Sequence, residues 1–191
     1  KMANIEYNSK SLAPFEEKMK KTISVLKDDF QTIRAGRANP RILDGITVPY
    51  YGVETPINQV ASVQVPEARM LVITPWVKTV LKELERAIQA SNLGINPMND
   101  GQSLRLVFPP LTEERRQELT REVSQMGEDA KVSVRNIRRE AIDLYKKYLK
   151  DSDISENLYY TVEDDIQKLT DRHVELLDVA VSEKNEELME I

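Results

Sequence analysis

The sequence has no cysteine, one histidine and one tryptophan among its 191 residues. Without cysteine there is no disulfide framework, no thiolate nucleophile and no cysteine-ligated zinc or iron–sulfur centre. The only imidazole, His173, leaves almost no scope for a histidine metal site or a catalytic triad. It falls within an apolar stripe, which favours a hydrogen-bonded core residue. We expect neither a metal nor a cofactor.

Long hydrophobic runs are absent as well. No stretch approaches the ~18 apolar residues of a membrane span, and the first ten residues have no signal-peptide core. No glycine-rich phosphate loop follows a strand, and no G-x-S-x-G motif is present. These absences predict a cytoplasmic protein with no membrane association and no enzymatic activity.

Charge is plentiful but unevenly distributed. The chain carries 27 basic and 32 acidic residues, for a net charge of -5. Residues 131–150 hold seven basic and two acidic residues, whereas residues 151–191 hold three basic and thirteen acidic ones. Because the excess positive charge is confined to one segment, that segment is where a polyanionic partner would bind.

Two segments have the apolar periodicity of long amphipathic helices. The first runs from about residue 12 to residue 34, with Pro14 in its first turn and Gly36 just past its end. The second runs from Thr112, a predicted N-cap, to about Lys150, which at ~1.5 Å per residue makes a rod of about 55–60 Å. Its predicted core stripe includes Met126, Leu144 and Tyr148.

A third helix is predicted to begin at Thr161, where Asp164 completes a capping box, and to bury Leu176 in its apolar stripe. Each of the three stripes needs a cover, so we predict a three-helix bundle.

The middle of the chain differs, since residues 37–110 hold eight of the nine prolines and four of the six glycines. Strand-like runs occur at 46–51, 60–65, 70–73 and 104–108, with one amphipathic helix at about 77–90. We therefore predict an α+β protein. Residues 1–36 and 111–191 would form a bundle of long helices, and residues 37–110 an inserted β/α/β domain.

The two chain crossings between these domains contain Gly36 and the pair Pro109–Pro110. Glycine gives backbone freedom and paired prolines restrict it, a combination suited to a hinge. The alternative is that the proline pair only separates a strand from the next helix.

The basic segment offers the strongest candidate site. On a helix, Lys131, Arg135, Arg138 and Arg139 fall within an arc of roughly 100°. We predict that this arc lies opposite the apolar stripe, so that its guanidinium groups face outward and match a row of phosphates. No aromatic residues are interleaved, which favours backbone contacts with structured nucleic acid. The alternative is pairing with the acidic third helix.

Five motifs are distributed along the chain: 33–40 (IRAGRANP), 50–52 (YYG), 90–97 (ASNLGINP), 109–116 (PPLTEERR) and 134–139 (VRNIRR). In their order and spacing they resemble the bacterial ribosome recycling factor family. The resemblance covers nearly the whole chain from about residue 11 onward.

The resemblance implies an L-shaped, non-catalytic monomer. Such a protein binds the ribosomal RNA of the large subunit after peptide release and, with elongation factor G and GTP, promotes disassembly of the post-termination complex. It also implies a role in RNA contact for matching positions, to which Lys131 and Arg139 are added from the helical arc. The predicted RNA-binding residues are Arg34, Arg37, Arg116, Lys131, Arg135, Arg138 and Arg139.

Two positions depart from the family pattern. Val77 stands where the family commonly has aspartate, so a helix start loses a side-chain cap. Pro49 replaces an acidic residue and, having no N–H, predicts an edge strand or a bulge. Two other functions stay open at this point: a helical protein-interaction scaffold, and a metal-dependent hydrolase using carboxylates of the last helix.

Overall fold

The computed structural model describes residues 5–33 and 36–190. These residues form two compact units, one of residues 5–33 and 116–190 and the other of residues 36–115. The elements in chain order are α1 (Ala13–Gln31), β1 (Thr47–Tyr50), β2 (Val53–Pro56), α2 (Ile57–Val60), β3 (Ala61–Glu67), β4 (Met70–Pro75), α3 (Leu81–Ala90), β5 (Met98–Asn99), β6 (Leu104–Val107), α4 (Glu113–Lys150) and α5 (Glu156–Met189). Short 3₁₀ helices occupy Pro40–Leu43 and Lys78–Val80. The α+β class and the long helices are confirmed.

Each of the three long helices has an identifiable start signal, and α4 and α5 have a side-chain cap. Pro14 lies in the first turn of α1, and the Thr112 hydroxyl accepts a hydrogen bond from the Arg115 N–H at 3.1 Å at the start of α4. The start of α5 was predicted wrongly: the helix begins at Glu156, and the Ser155 hydroxyl accepts from the Leu158 N–H at 3.1 Å. The pattern at Thr161 lies inside the helix.

The residues buried along α5 differ from the predicted ones at one position. Leu177 is fully buried, whereas Leu176 is 47% exposed, so the prediction for Leu176 is wrong. Periodicity allows a step of three or four residues after His173, and both steps reach a leucine. Packing of the bundle selects the four-residue step.

The core stripe of α4 also shifts. Met126, Leu144 and Tyr148 are only half-buried, while Gly127, Ile142 and Tyr145 are buried. Gly127 is packed so closely against α5 that a Cβ atom added there would collide with Val181 Cγ2. A close helix approach at a glycine cannot be recognised from apolar periodicity.

The N-terminal segment, residues 5–12 before α1, covers additional apolar residues of the bundle at the end where α4 and α5 are joined. Ile5 and Tyr7 pack against a cluster that includes Ile142 and Tyr145. The Tyr7 hydroxyl donates a hydrogen bond to Asp165 Oδ2 at 2.7 Å, and its ring meets Tyr145 edge-on at 6.0 Å. This cover accounts for the burial of Ile142 and Tyr145.

The smaller unit contains a four-stranded antiparallel sheet in the order β3-β4-β6-β5. Along β4 and β6, buried residues alternate with more exposed ones, as a half-buried sheet requires. Leu71, Ile73 and Leu106 form a core with Leu84 and Ile88 of α3. The predicted helix at 77–90 is a 3₁₀ turn followed by α3, and Val77 gives that turn no side-chain cap.

A separate two-stranded ribbon, β1 with β2, precedes the sheet. The sequence pattern does not predict β2. Pro49 pairs with Glu54 in this ribbon, where both strands are edge strands, in agreement with the expectation for a residue without an N–H.

Candidate nucleic-acid interface

Two of the predicted arginines form the centre of an exposed cationic surface on α4. The side chains of Arg135 and Arg139, one helical turn apart, are both exposed. Among the described residues, neither has a hydrogen bond or an ion pair to a neighbouring side chain. Each guanidinium is therefore available to an external anion.

Lys131 is placed differently. Its Nζ lies 2.6 Å from Asp178 Oδ1 of α5 and 3.2 Å from Glu128 Oε1, and only 15% of the side chain is exposed. The hydrogen bonds that Lys131 donates, first to Asp178 and then to Glu128, raise the pKa of Lys131 above its usual value. The positive charge of Lys131 is therefore paired within the protein, chiefly with Asp178 of the acidic helix α5.

Arg138 lies at the boundary between the bundle and solvent. It is half-buried, and its Nε donates a hydrogen bond to Gln167 Oε1 of α5 at 2.8 Å. That bond fixes the side chain along the helix surface and does not involve the two terminal nitrogens of the guanidinium.

The predicted orientation of the arc is therefore wrong for two of its four members. At about 100° per residue, the centre of the arc is only about 120° from the apolar stripe, not opposite it. Lys131 and Arg138, on the edge nearer the stripe, reach α5, whereas Arg135 and Arg139 face solvent.

The exposed face continues toward the end of α4 through residues that the site prediction omitted. Lys146 and Lys150 are exposed, and within the described ranges they have no ion pair. With Arg135 and Arg139 they fall within about 60° of arc and span about 22 Å along the axis. We call these four residues, Arg135, Arg139, Lys146 and Lys150, the basic row. Helical-wheel positions would have revealed it.

The remaining predicted RNA-binding residues are not part of the basic row. Arg116 lies near the start of α4, about 28 Å along the axis from Arg135, and is half-buried. Its Nε is buried without a hydrogen-bond partner among the described residues. Arg37 is exposed and belongs to the smaller unit, and Arg34 lies outside the described residues.

The predicted hinge residues occupy irregular backbone. Gly36 has φ +74°, and a Cβ added there would lie 3.3 Å from the backbone nitrogen of Leu111. The two chain crossings thus run side by side at this point. Pro109 and Pro110 are exposed and follow Phe108, whose N–H donates to the Arg69 carbonyl at 2.8 Å.

The described residues offer little catalytic chemistry elsewhere. His173 is 1% exposed, and its Nδ1 lies 2.7 Å from the Leu169 carbonyl oxygen, so it is a hydrogen-bonded core residue. Within residues 5–33 and 36–190, no cluster of His, Asp or Glu side chains could hold a metal ion. None of the helices in this part of the chain is long and apolar enough to cross a membrane.

The structure defines a class of α+β proteins in which a bundle of long helices is combined with a small β-sheet unit. Comparison with known proteins identifies the family. The ribosome recycling factor family matches residues 26–189, and the chain belongs to that family. The family comprises non-catalytic translation factors.

Individual relatives agree with this assignment. The ribosome-recycling factor of Caldicellulosiruptor bescii is 59% identical over 92% of this chain and 96% of its own, and that of Acetivibrio thermocellus is 55% identical over the same shares. A solution structure of ribosome recycling factor aligns with TM-score 0.76 at 34% identity, over 94% of this chain and 96% of that chain.

A second structure describes models of the T. thermophilus ribosome recycling factor and the E. coli elongation factor G bound to the E. coli post-termination complex. It aligns with TM-score 0.60 at 42% identity, over 93% of this chain and 96% of that chain.

Proposed function

We propose that this chain recycles ribosomes in the cytoplasm. It would bind the large subunit of the post-termination complex and, with elongation factor G and GTP, promote disassembly so that ribosomes can be reused. Membership of the family is the observation that carries this proposal. The chain itself would hydrolyse no nucleotide, because that step belongs to the elongation factor.

The basic row is proposed to hold ribosomal RNA by its phosphates. Its four cations are exposed on one long helix, and Arg135 and Arg139 lie about 6 Å apart along the axis, so that each can bind a phosphate. Arg138 would contribute its free terminal nitrogens at the edge of the same surface. Lys131 would contribute less, since Asp178 and Glu128 already neutralise it.

Arg34, Arg37 and Arg116 remain proposed RNA contacts on the strength of their matching family motifs. Gly36, Pro109 and Pro110 remain a proposed hinge. The positive φ of Gly36 supports this role, because a side chain there would be strained and would crowd Leu111.

The test of function is a disassembly assay on post-termination ribosomes, monitored by light scattering. The assay is run with the chain, elongation factor G and GTP together, and again with each one left out. We expect rapid subunit separation only when all three are present. Separation at the same rate without the chain would refute the proposed function.

The test of the basic row is binding to purified large subunits by Arg135→Ala/Arg139→Ala. We expect affinity to fall at least tenfold with unchanged helicity, because both side chains are exposed. Lys20→Ala/Lys168→Ala is the matched control, since it removes the same charge from exposed positions on α1 and α5. An equal decrease in affinity for the two variants would mean that only net charge matters.

A further inference from the structure

The tip of the β1–β2 ribbon has an unusual residue in its turn. Tyr50 pairs with Val53, so Tyr51 and Gly52 form a two-residue loop, with φ values of 48° and 79°. Positive φ at both positions is the mark of a type I′ turn, for which asparagine followed by glycine is preferred. A tyrosine in this conformation is unfavourable. The turn itself therefore does not explain Tyr51.

Packing does not explain Tyr51 either. Its side chain is 84% exposed, and the neighbouring Val53 is 65% exposed. Its ring is supported on one side by Tyr50, edge-on at a centroid distance of 4.5 Å, and Tyr50 itself packs against the core of the smaller unit. The ribbon thus presents a supported aromatic ring and an apolar neighbour to solvent.

The charge of the ribbon's own residues indicates the kind of partner. Residues 46–57 include no lysine or arginine and one acid, Glu54, whose carboxylate accepts a hydrogen bond from the Thr47 hydroxyl at 2.7 Å. A surface for nucleic acid needs cations beside its aromatic groups. Uncharged, exposed tyrosine with an apolar neighbour is typical of an anchor in a protein–protein interface.

We propose that Tyr51 is an anchor residue that inserts into an apolar pocket of the protein acting with this chain, elongation factor G. This inference rests on the proposed function. The two surfaces would then bind different partners: the basic row binds ribosomal RNA, and the ribbon tip contacts the partner protein. The unfavourable backbone of Tyr51 is retained because no residue better suited to the turn provides the ring.

The decisive variant is Tyr51→Asn, which suits the type I′ turn and removes the ring. We expect its thermal stability to equal or exceed that of the wild type and its affinity for large subunits alone to stay within twofold. Disassembly driven by elongation factor G and GTP should slow at least tenfold. Tyr51→Phe should restore it, and Tyr160→Gln, which removes an exposed tyrosine from α5, should leave it unchanged.

Three outcomes would overturn the assignment. If Tyr51→Asn promotes disassembly at the wild-type rate, Tyr51 is not an anchor residue, although the proposed function stands. A matching decrease in affinity for large subunits without the elongation factor places the interaction on the ribosome instead. Failure of the wild-type chain to promote disassembly refutes the proposed function and this inference together.

Discussion

At the scale of single residues, Gly127 marks a close approach between helices α4 and α5. Gly127 of α4 allows Val181 of α5 to approach where any larger residue would collide. We expect Gly127→Ala to lower the free energy of unfolding by about 1–3 kcal/mol, because overpacking outweighs the gain in helix propensity. Urea unfolding measures this decrease. Adding Val181→Ala should recover part of it, and failure to do so would mean that the collision is not the cause.

Lys184 is a second residue whose role is local and structural. Its side chain is buried on α5, and its Nζ donates to the Ile33 carbonyl at 3.0 Å, just after the end of α1, and lies 3.3 Å from Glu187 Oε2. Lys184→Met should destabilise the bundle by about 1–3 kcal/mol, since it leaves that carbonyl unpaired. Lys168→Met, at an exposed site, is the matched control; equal effects on thermal unfolding would contradict the proposed role of the carbonyl bond.

At the scale of elements, the N-terminal segment is part of the bundle. Burial, and then the hydrogen bond to Asp165, raise the pKa of Tyr7 above its ordinary value of 10.0. The raised pKa means that this stabilisation is complete below about pH 10 and is lost as the pH rises toward the native pKa. Tyr7→Phe should lower stability at pH 8 by about 1–2 kcal/mol.

The same pair of proteins gives a pH test. Because Tyr7→Phe has no hydroxyl to titrate, the stability difference from the wild type should shrink as the pH rises above 10. Urea unfolding of both proteins between pH 8 and pH 11 measures the difference. A gap that stayed constant across this range would show that the hydroxyl does not titrate with folding.

Local patterns predicted the elements better than the contacts between them. The period of α4 and the cap at Thr112 are properties of consecutive residues, and both appear in the structure. The choice of Leu177 over Leu176 depends on neighbouring helices. The same holds for the site, since Lys131 lies in the predicted arc, yet Asp178, 47 residues further along the chain, determines its environment.

At the scale of the whole molecule, charge is divided between surfaces. Four exposed cations of α4 form the basic row, whereas residues 46–57, which include the ribbon tip with Tyr51, contain no lysine or arginine. On the proposals made above, the basic row of the helical unit would be the main RNA-binding surface, and Tyr51 of the smaller unit would contact the partner protein.

The salt dependence of binding to large subunits tests the central claim most directly. Removing one phosphate-binding cation should reduce the slope of log K against log salt by about 0.7–0.9. Replacing all four residues of the basic row with alanine should therefore reduce the magnitude of the slope by about 2.8–3.6, with little change on replacing Lys131. A slope unchanged by the four replacements would show that the basic row does not bind ribosomal RNA.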